Sequence, residues 1–180
     1  MRHSAQGGPD PDMEHTRMVF QKTAPPSGDA DTYSFGIFLH GSLREGEGQK
    51  LIGIGGSHLR ADRLGWPAIG YMLSEEFWGQ GFATEFVKAF MGMWWGLERA
   101  ETEVKVEKGT VVPVKRGDEV KDGVEAREMI VGITGVGNGK SQKVLEKGGF
   151  VGMKEWAEGG TGREDTKLLG FGCLRPRSDA

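Results

Sequence analysis

The chain has 180 residues, 37% of them hydrophobic and 27% charged, with a formal net charge of −3. That length suits one domain with a real core, the charge balance gives no basic bias towards nucleic acid, and a single cysteine, Cys173, excludes an intramolecular disulfide or a cysteine-based metal cluster. Apolar runs fall far short of the ~20 residues of a membrane span, and residues 1–8 lack a signal-peptide core, so a soluble, cytoplasmic protein without membrane partners is expected.

Residues 1–32 read as a polar, disordered lead-in, in which Arg17 to Lys22 is a candidate short strand and Ala24 to Asp31 a turn. Tyr33 to Leu39, Leu51 to His58 and Ala68 to Leu73 are predicted strands, joined by a Gly/Glu-rich connector and the loop Arg60 to Pro67. Connectors of about eight to twelve residues suggest an antiparallel meander. The 31 glycines exceed ordinary usage more than twofold and show no repeat, which predicts many tight turns and close backbone approaches. His58, at a strand end, titrates in the range a general base needs, although an ordinary strand-edge histidine reads the same way.

The third strand runs into Gly79-Gln80-Gly81, and a helix is predicted from there to about Glu98. Phe82, Phe86, Val87, Phe90, Trp94 and Leu97 are spaced along it to cover one face. A glycine-bearing strand–loop–helix junction can converge backbone N–H groups on an anion, because the first-turn N–H groups lack intrahelical acceptors and the helix dipole favours negative charge there. By itself the G-x-G is equally a plain turn, since it lacks the spacing of dinucleotide folds. Glu75 and Glu76, just before it, read as solvated, and Trp66-Pro67 as a loop anchor or substrate-entrance lining.

Residues 101–127 are charged and turn-rich, which predicts a solvated hairpin or flap, with Glu103 to Glu107 alternating and Pro113 confining any return strand to an edge. Glu128 to Gly135 is a strand. Asn138 to Lys147 is a short helix with Asn138 as N-cap and Gly148 as its stop. Gly149 to Met153 and Lys167 to Cys173 close the chain as strands around the turn Gly159 to Gly162. The element order β-β-β-β-α-β-α-β-β predicts an α/β (α+β) fold: a mixed, mainly antiparallel sheet with two main helices, in one domain spanning 33–175.

Two stretches now stand together: Ile69-Gly-Tyr-Met-Leu-x-x-x-x-Trp-Gly-Gln-Gly-Phe-Ala-Thr-Glu85 and Asn138-x-x-Ser-x-x-Val-Leu-Glu-Lys-x-Gly-Phe150. In this order they resemble the GNAT family of acetyl-coenzyme A-dependent N-acetyltransferases, and within it the branch of ribosomal-protein N-terminal acetyltransferases. The resemblance spans residues 33–153. It implies a central strand pair that splays apart, with the pantetheine arm of acetyl-CoA pairing to Tyr71, Met72 and Leu73. It also implies a diphosphate on the loop and helix start at Trp78, Gly79, Gln80, Gly81, Phe82, Ala83 and Thr84, with Asn138 and Ser141 near the thioester.

The implied reaction is direct attack of a primary amine, a protein N-terminus or a small molecule, on the acetyl thioester. The Leu73 backbone N–H would polarise the carbonyl and Ser141 would hydrogen-bond the leaving thiolate, helix N3 capping being its alternative role. The sequence departs from the family in three ways. Leu145 stands where many members carry a phenol donor, Trp78 where Arg or Gln is common, and 32 residues stand where a strand and two acceptor-site helices usually lie. The acceptor site would then be reduced or supplied by a partner chain, and 101–127 could cover the cofactor or mediate a homodimer. The alternative is a GNAT-fold module that binds coenzyme A, or serves interaction, without acetyl transfer.

Overall fold

The computed structural model describes residues 12, 14–15, 17–18, 33–39, 49–59, 63–160 and 163–177. Six strands, β1 (Tyr33–Phe38), β2 (Leu51–Leu59), β3 (Ala68–Leu73), β4 (Met129–Gly135), β5 (Val151–Gly160) and β6 (Arg163–Leu174), form one sheet in the order β1-β2-β3-β4-β6-β5. Two helices, α1 (Phe82–Gly96) and α2 (Gly139–Lys147), follow β3 and β4. Every neighbouring pair is antiparallel except β3–β4, which is parallel. The mixed, mainly antiparallel sheet with two main helices is the predicted fold.

Local differences from the expected elements have plain causes. Arg17 and Met18 are helical rather than strand, while residues 19–32 lie outside the described residues. Helix α1 stops at Gly96, where Leu97 turns to extended backbone. The Arg99 guanidinium then takes the carbonyls of Trp94 (2.6 Å) and Leu97 (2.9 Å) and reaches Glu128 at 2.8 Å, which ties the end of α1 to the start of β4. Strands β5 and β6 run well beyond the predicted limits, because their long hairpin pairs Val151 with Gly172 and continues to Gly160 with Arg163.

Both helices lie on one face of the sheet. Val87, Phe90 and Met91 of α1 and Leu145 of α2 pack with Ile69, Ile130, Phe150 and Phe171. Phe90 is fully buried, and its ring lies 5.8–6.3 Å from those of Trp94, Phe86, Tyr33 and Phe35. Each such aromatic pair adds about 0.5–1.5 kcal/mol beyond area burial, so this cluster holds β1 to α1. Gly55 of β2 explains how the helix comes so close: a Cβ there would lie 2.4 Å from the Phe86 ring.

The opposite face is covered by the loop before β3 and by residues 101–127. Leu64, Trp66, Met129 and Val131 form its core, with Val106, Ala126, Met153 and Trp156 against them. Strand β4 is therefore buried on both faces, which is why Met129, Ile130 and Val131 are a continuous apolar run. The 101–127 segment has no strand at 103–107 and only a lone antiparallel bridge, Pro113 to Ala126. Residues 115–123 are all exposed, but the segment is anchored at Thr110, whose hydroxyl accepts from the buried Trp66 indole at 2.8 Å. Trp66 is thus a loop anchor rather than an entrance wall.

Replacing Thr110 with Val keeps shape but strips the acceptor from a buried N–H, which costs about 1–3 kcal/mol. Urea unfolding of Thr110→Val should show that loss, and limited proteolysis should cut faster within 101–127 than in the parent chain.

Candidate functional site

Strand β3 pairs with β4 at one position only, Ala68 with Val131, where the Val131 N–H also bonds the Pro67 carbonyl at 2.8 Å. β2 stays with β3 up to Gly53–Leu73, and β6 with β4 from Met129 to Gly135. The two central strands therefore part into a gap that opens towards their C-terminal ends. Along an antiparallel pair, backbone groups alternate between the two edges. The Ser74 N–H bonds Ile52 of β2 at 2.9 Å, so Leu73 and Tyr71 turn their backbone groups towards the gap and Met72 turns its own towards β2.

The chain leaves β3 through a single 3-10 turn, Glu75–Phe77, and then meets the two glycines. The Trp78 indole curls back to donate to the Leu73 carbonyl at 2.8 Å, which fixes the loop on the strand end. Gly79 and Gly81 have φ of +75° and +94°, in the left-handed region where a Cβ is strained, and a Cβ at either would meet nothing within 4 Å. Gly81 is the N-cap of α1 and offers no side-chain cap bond, so the N–H groups of Phe82, Ala83 and Thr84 face out of the helix end without one. The two ends of α1 are unlike: Arg99 occupies the carbonyls at one, and no capping side chain occupies the N–H groups at the other.

The charged groups around this loop are exposed. Lys50 pairs with Glu76 at 3.3 Å and lies 4.8 Å over the Phe77 ring, while Lys140, from the first turn of α2, lies 5.4 Å over the Trp78 ring. Gln80 donates its side-chain amide to the Glu76 carbonyl at 2.7 Å. Glu75 and Glu76 are solvated, as read from the sequence.

Across the gap, the Asn138 side chain accepts from the Ser141 N–H at 3.2 Å, so Asn138 is the N-cap of α2. Gln142 clamps the preceding turn by donating to the carbonyls of Val136 (2.8 Å) and Gly135 (3.3 Å). At the other end Gly148 is the C-cap, and the left-handed residue is the next one, Gly149, with φ +90°. A Cβ on Gly148 would lie 2.5 Å from Val87, so that glycine lets α2 close on α1. Leu145 is 2% exposed and lies against Gly132 of β4, where an added Cβ would be 2.7 Å from it. Position 145, where the resemblance implies a phenol, thus belongs to the core.

A phenol reaches the helix start from the other side of the gap. The Tyr71 hydroxyl lies 2.8 Å from the Ser141 hydroxyl and 3.4 Å from the Ser141 carbonyl. Burial pushes the phenol above its ordinary pKa, and the bond to Ser141 offsets part of that, so Tyr71 keeps its proton at neutral pH. The Ser141 hydroxyl is thereby bonded to Tyr71, while the capping at this position comes through its backbone N–H. The sequence did carry a signal for this: Tyr71 is separated by one residue from Leu73 on the same face and edge of β3. The separation of 70 residues between Tyr71 and Ser141 hid the contact.

The structure therefore gathers Tyr71, Leu73, Trp78, Gly79 to Thr84, Asn138 and Ser141 around the open ends of β3 and β4, and leaves the Met72 backbone on the β2 side. His58 belongs to β2, and its side chain lies outside the described residues. Cys173 is half-buried, with its thiol pushed up by burial. Among the described residues no group of His, Cys, Asp and Glu could hold a metal ion, and no helix is long and apolar enough to cross a membrane.

Residues 1–151 match the family model of the acetyltransferase (GNAT) domain. No curated protein matches the chain. Among solved structures, a spermidine N-acetyltransferase from Vibrio cholerae in complex with CoA and spermine is similar, with 13% identity over 93% of this chain and 78% of that one, at a TM-score of 0.60. A GNAT-family acetyltransferase from Bacillus anthracis is 17% identical over 97% of this chain and 81% of that one, also at 0.60. One from Streptococcus pneumoniae is 14% identical over 91% and 76%, at 0.53. The chain spans 56% of the length of a further acetyltransferase structure, at 19% identity and a TM-score of 0.45. At these identities the likeness is one of fold.

Asn138→Ala should cost about 1 kcal/mol through loss of the α2 cap, and Asn138→Ser should recover most of it. Urea midpoints of the two variants check this; equal losses would mean that the side-chain cap is not what holds this turn.

Proposed function

This chain belongs to the GNAT acetyltransferase family, and from that premise we propose that it moves an acetyl group from acetyl-CoA to a primary amine by direct attack. The observation that carries the reading is the parting of β3 from β4 beside an α1 N-terminus with no side chain over it. Bound acetyl-CoA would supply an activated acetyl group as a thioester.

The residues present fit such a ligand. The Tyr71 backbone and the Leu73 N–H lie on the gap edge, where an extended amide-bearing arm can use them as an added strand would; the Leu73 carbonyl is already taken by the Trp78 indole. The first-turn N–H groups of α1 and the space over Gly79 and Gly81 suit a diphosphate, held by backbone donors and the helix dipole. Lys140, held over Trp78, adds a cation beside that loop. Ser141 stands at the mouth of the gap, where a hydroxyl can hydrogen-bond a leaving thiolate, and the Leu73 N–H, on the gap edge, can polarise the acetyl carbonyl. An amine losing its proton through water needs no side-chain base.

The branch that acetylates protein N-termini is the finer reading, supported by the residues of 69–85 and 138–150. A polyamine is the printed ligand of the Vibrio cholerae neighbour, so a peptide N-terminus and a polyamine are the two acceptor classes to compare.

Acetyl-CoA at a hundred times its dissociation constant should stabilise the protein by about 2.7 kcal/mol, seen as a rise in Tm. Gly81→Val, which puts a branched side chain into the left-handed position over the helix start, should remove that rise. No shift in the parent chain at millimolar ligand would sink the reading. A free-thiol assay against an amine panel then separates transfer from binding without turnover.

A further inference from the structure

We propose that the Tyr71 phenol is a positioning residue for acetyl transfer, aiming the Ser141 hydroxyl at the departing sulfur in place of the phenol that position 145 does not supply. The proposal rests on the acetyl-transfer reading above and deepens it. Three observations converge. Leu145 is buried against Gly132, so α2 cannot present a donor from that position. The Tyr71 hydroxyl is 2.8 Å from the Ser141 hydroxyl, at the open end of the gap. The serine's backbone N–H is already committed to Asn138, so its hydroxyl is not needed for the cap and keeps one hydrogen and one lone-pair direction to share.

A serine hydroxyl alone is a weak donor with a free rotor. Either hydroxyl can donate in this contact, and the proposed arrangement is the one in which the phenol donates to the serine oxygen: that removes the rotational freedom, turns the serine hydrogen away from Tyr71, and polarises the O–H, since chained hydrogen bonds strengthen one another. Tyr71 can fill that role because a phenol is protonated at neutral pH, and burial shifts its pKa further up. In the transfer step the amine nitrogen forms the new C–N bond and the C–S bond breaks, with its electron pair leaving on sulfur. The surplus ammonium proton goes to water. The thiolate is held by the Ser141 O–H until solvent protonates it.

The same contact could be no more than a strut across the gap, so the test reads the sulfur rather than stability. Full-length protein is saturated with coenzyme A, binding is measured by calorimetry, and the bound thiol is titrated through its ultraviolet thiolate absorbance. A donor to the thiolate lowers the bound thiol's pKa. Ser141→Ala should raise it by roughly one to two pH units, the scale of one hydrogen bond to a charged group. Tyr71→Phe, which deletes one oxygen, should raise it by about half a unit through the lost polarisation, with coenzyme A affinity changed less than about threefold. The double variant should match Ser141→Ala, because Tyr71 acts only through the serine.

A parental titration curve in Tyr71→Phe would overturn the proposal, as would a phenylalanine effect that adds to the alanine effect. Coenzyme A failing to bind the parent chain would overturn the acetyl-transfer reading as well, which separates the two failures. Fluorotyrosine incorporation gives an independent measurement, because the chain has two tyrosines and Tyr33 sits in the Phe35–Phe90 cluster. A more acidic phenol should lower the bound thiol's pKa further, and an unchanged value would also refute the role.

Discussion

The single β3–β4 pairing at Ala68 and Val131 is the constraint on which the rest of the site depends. A parallel pair that continued would satisfy its backbone groups in the ladder and close the sheet. Here the ladder stops after one step, because β3 follows β2 while β4 follows β6, and the two hairpin halves diverge. The gap is stable because its walls are held from outside. Trp78 fixes the end of β3 through the Leu73 carbonyl, and Asn138 and Gln142 fix the turn after β4. Both helix starts then face the same opening, since each helix follows a strand whose C-terminal end lies there.

Packing on the two faces explains how a glycine-rich chain stays ordered around that opening. On the helix face, Gly55, Gly132 and Gly148 are places where a Cβ would strike Phe86, Leu145 or Val87, so they allow the layers to touch. Gly79 and Gly81 are of a different kind, with positive φ and open space beyond them. One set builds the core and the other leaves a surface bare. On the far face, residues 101–127 do what a regular helix would do elsewhere. They bring Val106 and Ala126 onto the sheet and bond Thr110 to Trp66, although most of the segment is exposed.

The departures from the family pattern acquire physical meaning together. A leucine at 145 is a core residue of α2 packed against β4, so the helix face that could have carried a phenol is used for packing. Tryptophan at 78 uses its indole N–H on the strand end and its ring face for Lys140, which returns a cation to the loop where arginine is common in the family. Tyrosine at 71, which lies in the stretch that matches the family, crosses the gap from β3 to α2. Polar and cationic groups are thus redistributed around the same opening.

The sequence by itself determined the elements that depend on local patterning. Apolar segments set apart by turn-rich connectors marked the three meander strands, helical spacing marked α1, Asn138 with Gly148 marked α2, and the paired stretches around Gly79–Gly81 and Asn138–Ser141 carried the family resemblance. Where local signals were weak, it fell short: Arg17 and Met18 are helical, residues 103–107 form no strand, and the β5–β6 hairpin outgrows its apolar segments because cross-strand bonding does not require apolar side chains. Only the tertiary structure decided which edge of β3 faces the gap, and with it that Tyr71 and Leu73, not Met72, turn their backbones there. It also decided that Trp66 anchors 101–127 and that Tyr71 meets Ser141. These are contacts between residues tens of positions apart, fixed by strand register and layer packing, and no local spacing encodes them.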